Sequence, residues 1–137
     1  MSDRPNHFIL LGGKADFGAL DGSKILEPNE DGEIIWTVPK SAKTDDEVFI
    51  YITAPLSAIV ARAKCAENSW LQEHPLSDWQ GYYMAELADV EIFPEEKRIA
   101  MKTLRSLFPD WRWLSFPRQN VRVPQEFLQP FLELFDE

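Results

Sequence analysis

The order of apolar patterns along the chain predicts an α+β fold, in which a curled, antiparallel, β-barrel-like sheet is flanked by helices. Short runs rich in β-branched and aromatic residues come first, and a helix, a short strand and a second helix follow. Consecutive strands are joined by hairpins or loops without a helix, which argues against parallel βαβ units. The chain has 137 residues without a repeat or linker, so residues 1–137 are expected to form a single domain.

Strands are predicted where short apolar runs end at glycine, proline or polar turns. The predicted strands are His7–Leu11, Ile34–Trp36, Val48–Thr53, Ile59–Cys65, Tyr82–Ile92 and Val121–Val123. The spacer 54–58 suits an antiparallel hairpin between the third and fourth of them. The apolar residues of Tyr82–Ile92 do not alternate strictly, which predicts a bulge or bend. Residues 14–33 and 66–81 are predicted to be long connections, which often carry function.

Two helices are predicted in the C-terminal third of the sequence. Glu95–Phe108 carries an apolar stripe at helical spacing. Pro124–Phe135 carries a second stripe, and Pro130 inside it predicts a kink or a split into two helices. Trp111 and Trp113 flank the end of the first helix, so they are expected to pack in the core.

The chain is acidic, with 14 Lys and Arg residues against 23 Asp and Glu residues and a formal net charge of −9. A field of this sign excludes sequence-independent gripping of a phosphate backbone by the whole surface. A nucleic acid would therefore have to meet a local basic patch, or the protein would act beside a basic partner. The hydrophobic fraction of 45% and the aromatic fraction of 12% argue against disorder.

The sequence lacks the usual signatures of catalysis and of export. No P-loop, Rossmann glycine pattern, zinc spacing or nucleophile elbow occurs, which predicts a non-catalytic protein without metal or cofactor. The alternative for an enzyme is a site built from His74 with Glu67, Glu73 and Asp78. Cys65 cannot form an internal disulfide and is expected to be a small buried hydrophobe. The absence of a signal peptide or an apolar membrane span predicts a cytoplasmic location.

Trp36 and Thr37 stand at the end of a short apolar run and form the strongest candidate for a binding site. A tryptophan that ends a strand and faces a loop can offer its flat π face to a planar ligand. A neighbouring hydroxyl can bond the polar edge of that ligand. The alternative is that Trp36 is a core aromatic, as isolated tryptophans usually are.

Several segments resemble, in order, those of the EVE domain, which belongs to the PUA-like superfamily and is related to YTH and ASCH domains. His7–Leu11 is similar to the family's opening strand, and Ile35–Thr37 to a segment in which Trp precedes Ser or Thr at the ligand pocket. Asp45–Tyr51 resembles the strand written GD-x-V-x-x-Y. The segments 83–94 and 118–124 resemble the strand before the helix and the final strand. The resemblance covers nearly the whole chain and implies a PUA-like fold.

The resemblance also implies a function, which is the reading of a modified nucleobase in DNA or RNA. The base would be single-stranded or flipped out and would enter an aromatic cage. Trp36 would stack on it, Thr37 would bond its edge, and Trp70 or Trp79 would supply a second wall. Modification-dependent restriction and RNA modification are the settings in which such a reader would act.

Around this pocket, the chain departs from the family at the end of the first strand. Family members often carry a polar or basic residue there, where this chain has Gly12 and Gly13. Backbone groups of these glycines, or the side chain of Lys14, would have to take over that contact. The candidates for phosphate contacts are Lys14, Lys40, Lys43 and Arg118. For each of them the alternative is a solvated surface charge.

A protein-binding adaptor is the alternative function. The acidic surface and the apolar side of the C-terminal helix, residues 127–135, could dock a basic partner such as a nuclease. A basic rim around an aromatic pocket would favour the reader, and uniform acidity would favour the adaptor.

Overall fold

In the computed structural model, which describes residues 5–12, 34–53, 56–76, 80–117 and 119–135, the chain forms one curled sheet with two flanking α-helices. The strands are β1 (His7–Gly12), β2 (Ile35–Thr37), β3 (Glu47–Ile52), β4 (Ala58–Cys65), β5 (Trp70–Leu71), β6 (Tyr83–Ile92), β7 (Ile99–Ala100) and β8 (Val121–Arg122). The helices are α1 (Met101–Leu107) and α2 (Gln125–Glu133), and 3-10 turns lie at Glu95–Lys97 and Arg112–Ser115. The predicted connection 14–33 lies outside the described residues.

The strands follow the order β2-β6-β4-β3-β1-β8, while β5 pairs with β6 and β7 pairs with β4. The path curls into a half-barrel, because Trp36 of β2, at one end of the order, reaches β1 near the other end. This arrangement confirms the predicted α+β class, the curled sheet and the flanking helices.

One pair of strands corrects the prediction of an antiparallel sheet. β1 and β3 pair in parallel, from His7 opposite Glu47 to Gly12 opposite Ile52. Parallel neighbours need a long crossover, which is usually helical. Here the chain forms β2, at the far end of the strand order, between β1 and β3. The pairing therefore depends on a long-range excursion that local sequence patterns do not reveal.

The central strand β3 is apolar along its length because both faces of the sheet are covered there. Val48, Ile50 and Ile52 belong to an inner core, the cluster on the concave side of the half-barrel. Phe49 and Tyr51 belong to an outer core, the cluster shared with α1 and α2. The helices thus cover the outside of the sheet, as predicted.

The first predicted helix, Glu95–Phe108, is shorter in the structure. Ile99 pairs with Ile59 of β4 in the short strand β7, so the chain is extended where a helix is predicted. The helix begins only at Met101, which is buried together with Leu104. Residues 99 and 100 form backbone hydrogen bonds with β4, and this pairing outweighs their tendency to continue the predicted helix.

The second helix confirms its predicted position but not the predicted break. α2 is one continuous helix over Gln125–Glu133, with Pro130 inside it. Pro130 and Glu126, whose carbonyl Pro130 cannot bond, are both exposed. Water can therefore satisfy that carbonyl, and the helix is not split.

The predicted irregularity in β6 is confirmed. The register between β4 and β6 shifts between Arg62, opposite Glu91, and Lys64, opposite Ala88. β6 therefore holds one extra residue in this interval, where Asp89 adopts a φ of +51°. The bulge bends the longest strand and helps the sheet to curl.

Asp46 organises the turn between β2 and β3. Its side chain is buried at 4% exposure, and its Oδ1 and Oδ2 accept the backbone N–H groups of Asn6 and Lys43, each at 2.9 Å. The preceding residue, Asp45, has a φ of +73°, at the position where the motif GD-x-V-x-x-Y has glycine. The carboxylate of Asp46 thus joins this turn to the start of β1.

Glu47 lies between His7 and Arg62, and a carboxylate oxygen is 3.0 Å from a nitrogen of each. The hydrogen bond from His7, with the hydrogen bond and charge of Arg62, outweighs burial and lowers the pKa of Glu47 from 4.5 to about 2. A carboxylate whose pKa is lower in the folded state stabilises the fold above its unfolded pKa. That contribution is lost as the pH falls toward the folded pKa.

We therefore expect the Glu47 carboxylate to contribute on the order of 1–3 kcal/mol to the free energy of unfolding above about pH 5 and to lose this contribution toward about pH 2. Glu47→Gln should lose this part of the pH dependence, and Glu96→Gln, at an exposed position, should keep it. Urea unfolding measured on both sides of pH 4.5 checks this expectation. Equal pH dependence of the parent and Glu47→Gln would contradict it.

Candidate nucleic-acid interface

Trp36 of β2 closes the half-barrel against the end of β1. Its indole Nε1 donates a hydrogen bond to the carbonyl oxygen of Leu11 at 3.2 Å. The six-membered ring lies over Gly12, where a β-carbon would stand 2.7 Å from the indole Cζ2. Trp36 packs against the inner core and is nevertheless only partly buried. The residue is therefore fixed at the mouth of the half-barrel with part of its surface reachable.

Asn120 joins the two strands that meet at Trp36. Its Oδ1 accepts the N–H of Leu11 at 2.8 Å, and its Nδ2 donates to the carbonyl of Thr37 at 3.0 Å. A primary amide has two N–H donors and two acceptor lone pairs, so these bonds use half of its capacity. The preceding segment is anchored by Trp113, whose Nε1 donates to the carbonyl of Gln119 at 2.9 Å. Among the described residues, Asn120 therefore presents a fixed amide with half of its capacity unused, beside Trp36.

The side chain of Thr37 does not share the face of Trp36. Trp36 stands opposite Ala85 of β6, and Thr37 stands opposite the next residue, Met84. Successive side chains of a strand point to opposite faces, so the Thr37 hydroxyl and the indole lie on different sides of β2. The structure therefore does not bring the predicted ring and hydroxyl into one pocket. Thr37 takes part through its main-chain carbonyl instead.

Trp70, one candidate for the second aromatic wall, does not face Trp36. The two residues pair with adjacent residues of β6 and so lie on opposite faces of that strand. The Nε1 of Trp70 donates to Oε2 of Glu67 at 2.6 Å, and the same oxygen accepts the N–H of Glu86 at 2.9 Å. Trp70 thus helps to fix β5 on β6. Trp79, the other candidate, lies outside the described residues.

Tyr83 is the aromatic residue that β6 places on the face of Trp36. It stands two residues before Ala85, the partner of Trp36, and side chains two apart in a strand share a face at a spacing of about 7 Å. The Nζ of Lys40 lies 5.7 Å from the centroid of the Tyr83 ring, within cation–π range. The structure therefore brings Lys40 to the aromatic face that carries Trp36. The sequence predicts a strand at Tyr83 but no place for this residue in the site.

Lys43 lies away from this mouth. It lines a groove at the other end of β1, together with Asn6 and Arg122. Because β1 runs over six residues, the two ends are about 16 Å apart. Lys40 is thus directed to the Tyr83 ring, and Lys43 to this groove. Three further candidate residues lie outside the described residues: Gly13, Lys14 and Arg118.

The aromatic residues of the outer core hold the helices on the sheet. Trp111 is 5% exposed and stacks on Phe127 of α2 at a centroid distance of 5.5 Å, which confirms its predicted core position. Phe131 of α2 is fully buried and meets Phe49 of β3 edge-on at 4.9 Å. The apolar side of α2 therefore packs against this chain, which leaves less of it for the docking that the adaptor hypothesis proposes.

The groups suggested for an enzyme do not converge where the structure describes them. His74 lies in an exposed turn, where its Nδ1 accepts the N–H of Leu76 at 3.1 Å, and Asp78 lies outside the described residues. In the described part of the chain, no cluster of three His, Cys, Asp or Glu side chains could hold a metal ion.

Cys65 is buried as predicted, and burial raises its pKa to about 11, which makes it unreactive.

Replacement of Gly12 by alanine tests how tightly Trp36 is packed. The added β-carbon would overlap the indole, so we expect Gly12→Ala to cost about 1–3 kcal/mol of the free energy of unfolding. Denaturant unfolding followed by tryptophan fluorescence checks this cost. In a Trp36→Phe background the overlapping ring atoms are gone, and the same change should cost less. Equal costs in both backgrounds would contradict the close contact between Gly12 and Trp36.

The described helices are too short or too polar to cross a membrane.

Comparison with known proteins shows what the fold resembles. No protein-family model and no curated protein matches the chain. Solved structures do match it, at sequence identities that establish likeness of fold alone.

Three of these structures superpose over nearly the whole chain. Rpa0253 from Rhodopseudomonas palustris has a TM-score of 0.66 at 9% identity, over 96% of this chain and 93% of that one. Atu2648 from Agrobacterium tumefaciens has a TM-score of 0.65 at 14% identity, over 96% and 91%. ASCH from Zymomonas mobilis has a TM-score of 0.64 at 12% identity, over 94% and 95%. The chain therefore has the curled α+β fold of these structures, one of which is an ASCH protein, while the resemblance to EVE domains stays a prediction.

Proposed function

We propose that the protein is a non-catalytic reader of a modified nucleobase, which enters the mouth of the half-barrel beside Trp36 in single-stranded or flipped form. The observation that carries the proposal is the position of Trp36, whose ring is fixed by Leu11 and Gly12 while the residue stays partly exposed. A fixed aromatic surface at a concave mouth suits a planar ligand, because little side-chain entropy is lost on stacking.

The neighbours of Trp36 offer the other contacts that a base needs. The unused donor and lone pair of Asn120 match the paired donor and acceptor groups on the edge of a base. Stacking contributes about 1–3 kcal/mol for each base. A methyl group buried at the mouth would add about 0.8 kcal/mol, or about fourfold in affinity over the unmodified base. The similarity to ASCH and PUA-like folds supports nucleic acid as the ligand class, and the resemblance to EVE domains supports a modified base.

The acidic adaptor is the second candidate, and the net charge of −9 is what favours it. The covered apolar side of α2 weighs against it, as does the placement of Lys40 on the face of Trp36. A pure adaptor would bind a basic protein and show no preference among bases.

A binding screen tests the proposed function. Labelled single-stranded DNA and RNA oligonucleotides with one modified or unmodified base would be titrated in fluorescence anisotropy. We expect one class of modified base to bind several-fold more tightly than its parent base. The slope of log affinity against log salt should be shallow, about −1.4 to −2.8, because two to four phosphates meet this acidic chain. Equal binding of all bases, or no binding, would contradict the proposal.

A further inference from the structure

A polar groove of about 680 Å³ opens at the end of β1 opposite to Trp36. It lies where the start of β1, the turn before β3, the strand β8 and the start of α2 meet. Lys43 and Arg122 line it from the turn and from β8, and Gln125 lines it from the first position of α2. No residue of this groove takes part in the contacts around Trp36 described above.

The cations of the groove are available to a ligand. Lys43 and Arg122 are both exposed, and in the described part of the chain neither forms an ion pair. Two carboxylates also line the groove. Asp46 already accepts two backbone N–H groups, which leaves Asp45 as the exposed opposing charge. At the exposed rim of the groove two cations thus stand against one carboxylate, on a chain that is acidic as a whole.

The start of α2 also favours an anion in the groove. α2 begins after Pro124 without a side-chain cap, so its first N–H groups and the positive end of its dipole face the groove through Gln125. His7 lines the groove with a side chain that is 10% exposed, and its Nε2 is engaged by Glu47. Its other ring nitrogen, Nδ1, is buried and has no hydrogen-bond partner among the described residues. Both ring nitrogens of His7 are therefore out of reach of an ion in the groove, and His7 adds no polar contact.

We infer that this groove binds a phosphate group between Lys43, Arg122 and the first turn of α2. The assignment of this phosphate to a nucleic-acid backbone rests on the proposed function. The groove and Trp36 are about 16 Å apart along β1, which a stacked strand at about 3.4 Å per nucleotide covers with about five nucleotides. A strand whose base lies at Trp36 would therefore place a later phosphate at Lys43.

The first arm of the test uses inorganic phosphate alone. In two-dimensional NMR titrations of the whole chain, phosphate should shift the amide signals of Gln125 and Glu126. Arg122→Gln and Lys43→Gln should each weaken this binding at least fivefold, while Lys102→Gln, an exposed lysine on α1, should leave it unchanged. Amide signals that stay in place, or that shift equally in Arg122→Gln, would overturn the phosphate site.

The second arm uses single-stranded oligonucleotides and a free nucleoside. Arg122→Gln should reduce the magnitude of the salt slope of an eight-nucleotide strand by about 0.7, the value for one lost phosphate contact. It should leave nucleoside binding and base preference unchanged. An unchanged slope, with phosphate still bound in the first arm, would overturn the assignment to a nucleic-acid backbone and leave a site for free phosphate.

The two arms separate this inference from the proposed function. Base preference that depends on Trp36, together with an inert groove, would uphold the reader and overturn the groove. Phosphate binding that depends on Arg122, in a protein that binds no oligonucleotide, would uphold the phosphate site and overturn the reader.

Discussion

Truncation of Phe131 to alanine is expected to lower the free energy of unfolding by about 3–5 kcal/mol. Phe131 is fully buried, and no other described residue of α2 is buried to this degree. Its ring meets Phe49 at 4.9 Å, Phe135 at 5.2 Å and Trp111 at 6.0 Å. The substitution removes these aromatic contacts and leaves a cavity that the rigid sheet cannot fill, so both losses add.

Denaturant unfolding of the two proteins measures this cost. Phe116→Ala is the matched control, because the same substitution is made at a residue that is 70% exposed. It should cost about 1 kcal/mol or less, since most of that side chain is in water in both states. If Phe131→Ala cost no more than Phe116→Ala, α2 would not be held on the sheet as described.

Truncation of Trp36 to alanine is expected to weaken binding of the modified base by about 1–3 kcal/mol, or about 5- to 150-fold. The stacking surface disappears with the indole, and so does the hydrogen bond to Leu11. Trp36→Phe keeps an aromatic face but loses that hydrogen bond, so its affinity should lie between those of the parent protein and Trp36→Ala. Trp70→Phe changes a tryptophan on the other face of β6 and should leave the affinity unchanged.

Fluorescence anisotropy with the preferred modified oligonucleotide measures these affinities. Thermal unfolding of each variant shows that the fold is retained at the temperature of the assay. Equal affinities of Trp36→Ala and the parent protein would remove the base from this site and favour the acidic adaptor.

Six strands and α2 were predictable because their signals are local, whereas β5 and β7 lie in segments predicted to be a connection and a helix. After Glu47, β3 has β-branched residues on one face and aromatic residues on the other, and the stripe of α2 has helical spacing. The start of α1 and the parallel β1–β3 pair were not predictable in this way. Each depends on pairing between distant segments, such as Ile99 with Ile59, which local propensity does not encode.

The candidate site was predictable in part for the same reason. Trp36 stands out as an isolated large aromatic beside a turn, and the structure leaves it partly exposed against the end of β1. The prediction that the ring of Trp36 and the hydroxyl of Thr37 share one pocket was wrong, because adjacent side chains of a strand point to opposite faces. Asn120 carried no signal, because its role comes from partners 109 and 83 residues away. Tyr83 enters the site only through the register of β6 with β2.

The indole N–H signal of Trp36 gives the most direct test of the central claim, that a base stacks on this ring. Five tryptophans give five such signals in a proton–nitrogen NMR spectrum, and the signal missing from Trp36→Phe identifies Trp36. On titration with the preferred modified nucleoside, we expect the Trp36 signal to shift and to saturate with the affinity measured by anisotropy, while the Trp70 signal stays in place. Saturable binding of the nucleoside with an unmoved Trp36 signal would contradict the claim.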